Sequence, residues 1–167
     1  MISENNQNNR MVPASPPEQG LRKKLMNIPT FDDYCFACGA GNPIGIHMQI
    51  EYLEDAAAAQ SLLALPKEFQ GWQEVIHGGI LATLLDEIMM QAIWHFAGAG
   101  VTLGLEVQFR QPLAPAEMVL VRGSLTETKG RRLKARGEII RQADNRLIAN
   151  SSGRYLLLQE DKVNSGV

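Results

Sequence analysis

The residues best suited to chemistry in this sequence lie in one short stretch, where a glycine turn precedes two adjacent acids. His77, Gly78 and Gly79 form the turn, and the apolar run behind it carries Asp86 and Glu87. A carboxylate taken out of water costs several kcal/mol unless it is paired or used. Two glycines let backbone N–H groups approach a ligand closely at the positive end of a helix dipole. The stretch therefore predicts an active site with a polarising turn and an acid.

A long helix is expected to begin at this turn and to run from about residue 79 to residue 96. Its apolar residues occur almost all round the helix, which is typical of a buried helix. Gly98 and Gly100 are expected to end it. Asp86 and Glu87 lie about 100° apart around such a helix, so only one of them can face a given pocket.

Alternating apolar and polar residues predict β-strands on both sides of the helix. Two strands are expected before it, at residues 46–52 and 56–65, with a loop over residues 66–76. Four strands are expected after it, at residues 103–109, 117–126, 132–139 and 146–158. Short connections favour antiparallel pairing, so the predicted fold class is α+β, with one antiparallel sheet wrapped around one long helix. Because one sheet cannot cover the whole helix, a partner subunit is expected as well.

The bulk composition is that of an ordinary globular domain. The chain has 167 residues, of which 45% are hydrophobic and 20% charged, and its net charge is −2. This net charge does not indicate binding to nucleic acid or to an anionic membrane. A flexible segment with a short helix is expected over residues 1–27, one domain over residues 28–160, and a tail over residues 161–167. The N-terminus lacks a signal-peptide pattern and acids interrupt the longest apolar run, so a cytoplasmic location is expected.

Cys35 and Cys38 form a Cys-x-x-Cys pair in a segment rich in turn-forming residues. A structural zinc site usually takes four protein ligands, and the sequence offers neither a second such pair nor a nearby pair of histidines. No strand–helix–strand pattern surrounds the pair, as a thioredoxin-like role would require. We therefore expect a packed turn and no bound metal.

The motif and the order of elements together resemble the hot-dog fold acyl-CoA thioesterases, in particular the PaaI-like branch. The resemblance covers roughly residues 33–158. The central matching residues are Gly71-Trp72, Val75-Ile76-His77-Gly78-Gly79 and Leu84-Leu85-Asp86-Glu87. The flanking ones are Cys35-x-x-Cys38-Gly39, Asn42-Pro43-x-Gly45, Val101-Thr102 and Phe109-Arg110-Gln111-Pro112.

The resemblance implies hydrolysis of an acyl-CoA thioester to a free acid and coenzyme A. The Gly79 N–H would polarise the thioester carbonyl, Asp86 would act as general base or nucleophile, and Thr102 would help to place water. In such proteins the acid usually faces the glycine turn of the other subunit, which implies a composite site in a homodimer, with pairing into tetramers left open. Some relatives have an asparagine six residues before His77, where this chain has Gly71. No cofactor is implied beyond the coenzyme A of the substrate.

Other residues are expected to contact the substrate. His77 and Gly78 belong to the turn, with His77 chiefly orienting it, while Arg131 and Arg132 of a basic hairpin are candidates for binding the phosphates of coenzyme A. A solvated strand face is the alternative for these arginines. Two other functions stay open, an enoyl-CoA hydratase or dehydratase on the same fold and a non-catalytic acyl-CoA-binding protein. The identity of the acyl group also stays open, and so does its carrier, which could be coenzyme A or acyl carrier protein.

Overall fold

One long helix packs against one face of a six-stranded antiparallel sheet. A computed structural model describes residues 32–158. The helix α1 spans Gly78–Ala97, and single turns of 3-10 helix occur at Glu54–Ala56 and Lys67–Phe69. The strands are β1 (Glu51–Leu53), β2 (Ala58–Ala64), β3 (Gln70–Trp72), β4 (Val75–Ile76), β5 (Gly100–Phe109), β6 (Met118–Lys129), β7 (Arg132–Arg141) and β8 (Arg146–Leu157).

The strands of the main sheet lie in the order β1-β2-β6-β7-β8-β5, and each neighbouring pair is antiparallel. The strands β3 and β4 form a separate two-stranded hairpin. This architecture confirms the predicted α+β hot-dog fold, in which the sheet wraps around the central helix. The strand β5, which directly follows the helix, lies at one edge of the sheet and carries Thr102 there.

The helix lies close to the sheet because a glycine faces it. Leu84, Leu85 and Ile88 are fully buried between the two layers. A Cβ atom added to Gly123 of β6 would lie 2.7 Å from the backbone of Ile88 and of Met89. The face of the helix away from the sheet is partly covered by the loop before β1, whose residues Ala37 and Met48 belong to the same core. This loop therefore covers part of the helix surface for which the sequence predicted a partner subunit.

The first predicted strand is wrong in its extent. The alternation over residues 46–52 does place Met48 in the core, but strand pairing begins only at Glu51. The N–H groups of Ile46 and Met48 instead donate to the carbonyls of Phe36 and Ala37, at 2.8 and 2.9 Å. The segment before Glu51 thus bonds to the cysteine-containing loop rather than to the sheet.

The loop expected over residues 66–76 is also more regular than predicted, since it contains the hairpin of β3 and β4. The hairpin positions the start of α1, because the N–H of His77 donates to the carbonyl of Phe69 at 2.8 Å and the N–H of Ile76 donates to that of Leu113 at 2.9 Å. Strands of only two or three residues are too short to show a periodic pattern that can be recognised in a sequence.

Two expectations fall on parts of the chain that are not described. The flexible segment with a short helix over residues 1–27 and the tail over residues 161–167 lie outside residues 32–158. They stay predictions, as do the domain boundaries at residues 28 and 160.

By length and composition alone, α1 could cross a membrane, with a mean hydropathy of 1.2. The core helix of a soluble protein has the same properties. Here Leu84, Ile88 and Ile93 are fully buried within the fold. Its apolar character is therefore accounted for by packing in the core.

The contact between Gly123 and the helix backbone leads to a stability prediction. Gly123→Ala should lower the free energy of unfolding by about 1–3 kcal/mol, because the helix must move away from β6. Urea denaturation measures this loss. The matched control is Gly104→Ala, whose added Cβ meets only the flexible end of Arg154 at 3.0 Å and should change the same free energy by about 0.5 kcal/mol or less. Equal effects of the two substitutions would contradict the packing described.

Candidate active site

His77 caps the N-terminus of α1 and thereby sets the glycine turn. It has extended backbone geometry, and its Nδ1 accepts a hydrogen bond from the N–H of Gly79 at 2.9 Å. Its carbonyl accepts from the N–H of Ile80, also at 2.9 Å. Because Nδ1 is the acceptor, the imidazole carries no proton on that nitrogen. The N–H of Gly79, to which the family resemblance assigns the thioester carbonyl, is thus already occupied by the cap.

Two glycines at the turn lie close to neighbouring rings. A Cβ atom on Gly71 would lie 2.8 Å from Cδ2 of His77, and one on Gly78 would lie 3.3 Å from the ring of Phe109. The position at which some PaaI-like enzymes have asparagine is therefore filled here by the imidazole of His77. The departure from that pattern at Gly71 has a steric explanation in this chain.

A cleft of about 490 Å³ opens in front of the turn, between the β3–β4 hairpin and the end of β5. His77 and Gly78 form its floor, and Trp72 and Phe109 form apolar walls. Trp72 is 83% exposed and Phe109 55% exposed, which is unusual for side chains of this size. The cleft can accept an extended, partly apolar ligand at the helix N-terminus.

Asp86 lies two helical turns further along α1, at half-buried depth, and is held by two hydroxyl groups. Thr102 on β5 donates to its Oδ1 at 3.0 Å, and the hydroxyl of Tyr155 on β8 lies 3.5 Å from the same oxygen. Burial raises the pKa of Asp86 above its ordinary value, and the negative charge of Glu87 raises it further, while the bonds from Thr102 and Tyr155 lower it. The result is a carboxyl group with a basicity greater than that of an exposed aspartate.

Tyr155 is a residue of the site that no sequence motif indicates. Its side chain is fully buried, and burial beside the Asp86 carboxylate raises the pKa of the phenol, which keeps it protonated and able to donate. Its ring occupies the space beside Gly153, where an added Cβ atom would collide with it. Alternation along β8 could have shown that Tyr155 points inward. Only the register of β8 against β5, which pairs it with Thr102, shows that it meets Asp86.

The structure brings together two of the three predicted catalytic residues. Asp86 and Thr102 are hydrogen-bonded, whereas Gly79 lies seven residues before Asp86, about 10 Å away along the helix axis. Neither Asp86 nor Thr102 lines the cleft in front of His77. One carbonyl carbon cannot contact the turn and the carboxylate of the same chain.

The two arginines predicted to bind phosphate lie at the end of the sheet that also holds Thr102. Arg131 is in the exposed turn between β6 and β7, and its Nε donates to the carbonyl of Leu157 at 3.0 Å. Arg132 begins β7 and pairs with Leu156, which in turn pairs with Val101 on β5. Arg132 is therefore two strands away from the strand that carries Thr102, whereas the guanidinium group of Arg131 reaches β8, which lies next to that strand.

Glu87 does not share the surroundings of Asp86. Its carboxylate accepts a hydrogen bond from Gln91 at 2.8 Å and lies 3.6 Å from Sγ of Cys35. The helix therefore presents its two adjacent acids to different neighbours, as their angular separation requires.

The sequence also matches known proteins. Residues 73–148 match the family described as "Thioesterase superfamily", a range that includes His77, Gly79, Asp86 and Thr102. The matched range begins at the β3–β4 hairpin and ends within β8.

Two curated relatives are 25% identical to this chain. The Saccharomyces cerevisiae "Uncharacterized mitochondrial membrane protein FMP10" matches over 116 residues, which cover 67% of this chain and 48% of the relative. The Bos taurus "Acyl-coenzyme A thioesterase THEM4" matches over 93 residues, which cover 56% of this chain and 38% of the relative. The chain thus spans less than half of the length of either relative.

Solved structures share the fold at lower identity. A thioesterase superfamily protein has a TM-score of 0.70 at 22% identity, covering 82% of this chain and 73% of that one. The E. coli PaaI protein from the phenylacetic acid degradation operon has a TM-score of 0.63 at 17% identity, covering 68% of this chain and 80% of that one. Residues 73–148 therefore resemble the thioesterase superfamily in sequence, and the solved structures share the hot-dog architecture of this chain.

Proposed function

We propose that this protein hydrolyses an acyl-CoA thioester to a free acid and coenzyme A. The observation that carries the proposal is the half-buried Asp86 carboxylate, bonded by Thr102 at 3.0 Å and approached by Tyr155. The match of residues 73–148 to the thioesterase superfamily supports it, and so does the similarity to the bovine relative named as an acyl-coenzyme A thioesterase. Structural carboxylates are usually paired with cations, whereas Asp86 is held by hydroxyl groups that leave it basic.

The glycine turn would polarise the thioester carbonyl. Gly78 and Gly79 are the first residues of α1, where unsatisfied N–H groups and the helix dipole favour a developing negative charge. The thioester oxygen would replace Nδ1 of His77 as the acceptor of the Gly79 N–H, so the cap keeps this donor aligned until substrate arrives. A donor of this kind contributes about 3–4 kcal/mol to transition-state stabilisation.

Asp86 would then supply the base. As a water oxygen bonds to the carbonyl carbon, its proton passes to Asp86 and the carbonyl oxygen becomes an oxyanion held by the turn. Collapse of this intermediate breaks the C–S bond, and coenzyme A leaves as a thiolate. Direct attack by the carboxylate, followed by hydrolysis of the anhydride, uses the same geometry. In both routes the hydroxyl of Thr102 positions the Asp86 carboxylate.

Two copies of the chain would be needed for one site. Gly79 and Asp86 of one chain are about 10 Å apart along the helix, so a carbonyl held by one turn needs a carboxylate from elsewhere. The edge strand β5 also exposes apolar side chains, with Leu103 57% and Phe109 55% exposed. Burying this edge in a two-fold dimer would bring the turn of one subunit towards Asp86 of the other.

The coenzyme A moiety would lie along the end of the sheet near Thr102. Arg131 and Arg132 are exposed there and can pair with its phosphates. The acyl chain would occupy the cleft between Trp72 and Phe109. The only cofactor-like group in this scheme is the coenzyme A of the substrate.

Removing the base should remove turnover. Asp86→Asn should lower kcat/KM for thiol release about 10²–10⁴-fold, because the amide cannot accept the proton of water. A panel of acyl-CoA substrates of varied length and aromaticity first identifies a good substrate. The matched control is Asp55→Asn, an exposed aspartate in a 3-10 turn, which should retain activity. Unchanged rates for Asp86→Asn on that substrate would refute the assignment.

The hydrogen bond from Thr102 should be visible in the pH dependence. It lowers the pKa of Asp86, so Thr102→Val should raise that pKa. A base acts when deprotonated, and the acidic limb of the kcat/KM profile should therefore shift to higher pH. Thr126→Val, which removes a hydroxyl bonded to the carbonyl of Lys134, is the matched control and should leave the limb in place. An unshifted limb in Thr102→Val would show that the threonine does not act through Asp86.

Mixing two inactive variants tests the composite site. Gly79→Pro removes the turn N–H, and proline is tolerated in the first turn of a helix. In a mixed dimer with Asp86→Asn, one of the two composite sites would combine an intact turn with an intact carboxylate. Co-refolded mixtures should therefore recover about a quarter of the wild-type activity, as expected for random pairing of equal amounts. If every site lay within one chain, the mixture would stay as inactive as its components.

A further inference from the structure

Two cysteines and an acid converge on the side of α1 that the hydrolytic scheme does not use. Cys35 and Cys38 come from the loop before β1, and Glu87 comes from the helix. Their Sγ atoms and one carboxylate oxygen all lie within 4.8 Å of one another. Sγ of Cys35 is 3.6 Å from Oε2 of Glu87. Residues 52 positions apart in the sequence thus meet at one point.

The loop is shaped so that both thiols face the helix. The N–H of Gly39 donates to the carbonyl of Cys35 at 2.9 Å, which closes one helix-like turn and places the two cysteines on the same side. Ala37, between them, is 2% exposed and anchors the loop in the core. The carbonyl of Ala37 also accepts from the N–H of Met48 at 2.9 Å. The thiols are therefore held in place without a ligand.

A buried glutamine donates hydrogen bonds to two members of the cluster. Gln91 is 4% exposed, and its Nε2 donates to Oε1 of Glu87 at 2.8 Å and to Sγ of Cys38 at 3.4 Å. Its Oε1 accepts from the hydroxyl of Tyr52 at 2.7 Å, which sets the orientation of the amide. The amide thus presents its donors to the sulfur and the carboxylate. Donors in this position stabilise metal-bound thiolates and orient carboxylate ligands.

The cluster holds potential negative charge without a positive partner. None of the ion pairs formed by residues 32–158 includes Glu87. A divalent cation would replace the thiol protons and offset the mutual repulsion of these groups.

We propose that Cys35, Cys38 and Glu87 bind one zinc ion, with water as the fourth ligand. Tetrahedral zinc, with bonds of about 2.3 Å to sulfur and about 2.0 Å to oxygen, places a sulfur and an oxygen ligand roughly 3.5 Å apart. The separation of Cys35 and Glu87, 3.6 Å, already meets this requirement. Thiolate ligands select zinc over magnesium or calcium.

The proposed site differs from the sequence-based expectation of no metal, which rested on the lack of a second pair of ligands near Cys35 and Cys38 in the sequence. The third ligand comes from α1, and only the fold brings it there. Because Glu87 points about 100° away from Asp86 around the helix, the zinc would tie the loop to α1 rather than act on the thioester.

Cobalt titration tests the site directly. The full chain is reduced, stripped with a chelator and titrated with Co²⁺. One equivalent should produce a sulfur-to-cobalt charge-transfer band and the strong visible bands of tetrahedral cobalt, and zinc should displace it. Cys35→Ser and Cys38→Ser should abolish the charge-transfer signature of two thiolates, and Glu87→Gln should weaken binding about 10–100-fold. Glu68→Gln, an exposed glutamate in the Lys67–Phe69 turn, is the matched control and should bind as the wild type does.

A second measurement needs no substitution and stands even if a serine variant fails to fold. One equivalent of zinc should protect both thiols of the wild-type protein from alkylation and should raise its Tm. The proposal is overturned if cobalt gives no thiolate band, if the band keeps its full intensity in either cysteine variant, or if zinc leaves the alkylation rate unchanged. These readouts do not depend on catalytic activity, so their failure is distinct from a failure of the proposed hydrolysis.

Discussion

The structure depends above all on the burial of one apolar helix against the concave face of the sheet. Leu84, Leu85 and Ile88 are fully removed from water, and each such side chain contributes about 1.5–3 kcal/mol. Gly123 lets the helix backbone approach β6 closely. This packing sets both the rotation of α1 about its axis and its position along the sheet. Every polar group on the helix is placed as a consequence.

The rotation of the helix about its axis turns its two adjacent acids towards different neighbours. Asp86 points to β5 and β8, where Thr102 and Tyr155 bond to it, while Glu87 points to the cysteine loop and Gln91. An apolar helix can carry two adjacent acids at half-buried depth because each finds hydrogen-bond partners in a different layer. The unusual feature is that these partners are uncharged, which leaves both carboxylates available for a ligand.

The position of the helix along the sheet determines where its N-terminal turn meets the cleft. Its first turn is fixed by the β3–β4 hairpin and by the His77 cap, and it opens into a cleft walled by Trp72 and Phe109. Asp86 lies too far along the same helix to reach that cleft. The distance is a property of helix geometry, about 1.5 Å per residue, and no side-chain motion removes it. This distance is the reason for proposing a site shared between two chains.

The sequence by itself determined the α+β class, the long helix and most of the strands, because hydrophobic periodicity is a local property that survives in any fold burying one face. It also singled out the glycine turn at His77 and the two adjacent acids through their types and spacing, and the family resemblance selected Gly79 and Asp86. Only the tertiary structure decided three other features. Residues 46–50 bond to the cysteine-containing loop rather than to the sheet, Tyr155 contacts Asp86, and Cys35 contacts Glu87. Each depends on the register of one element against another distant in the chain. Register is set by the packing of the whole core, which no local pattern specifies.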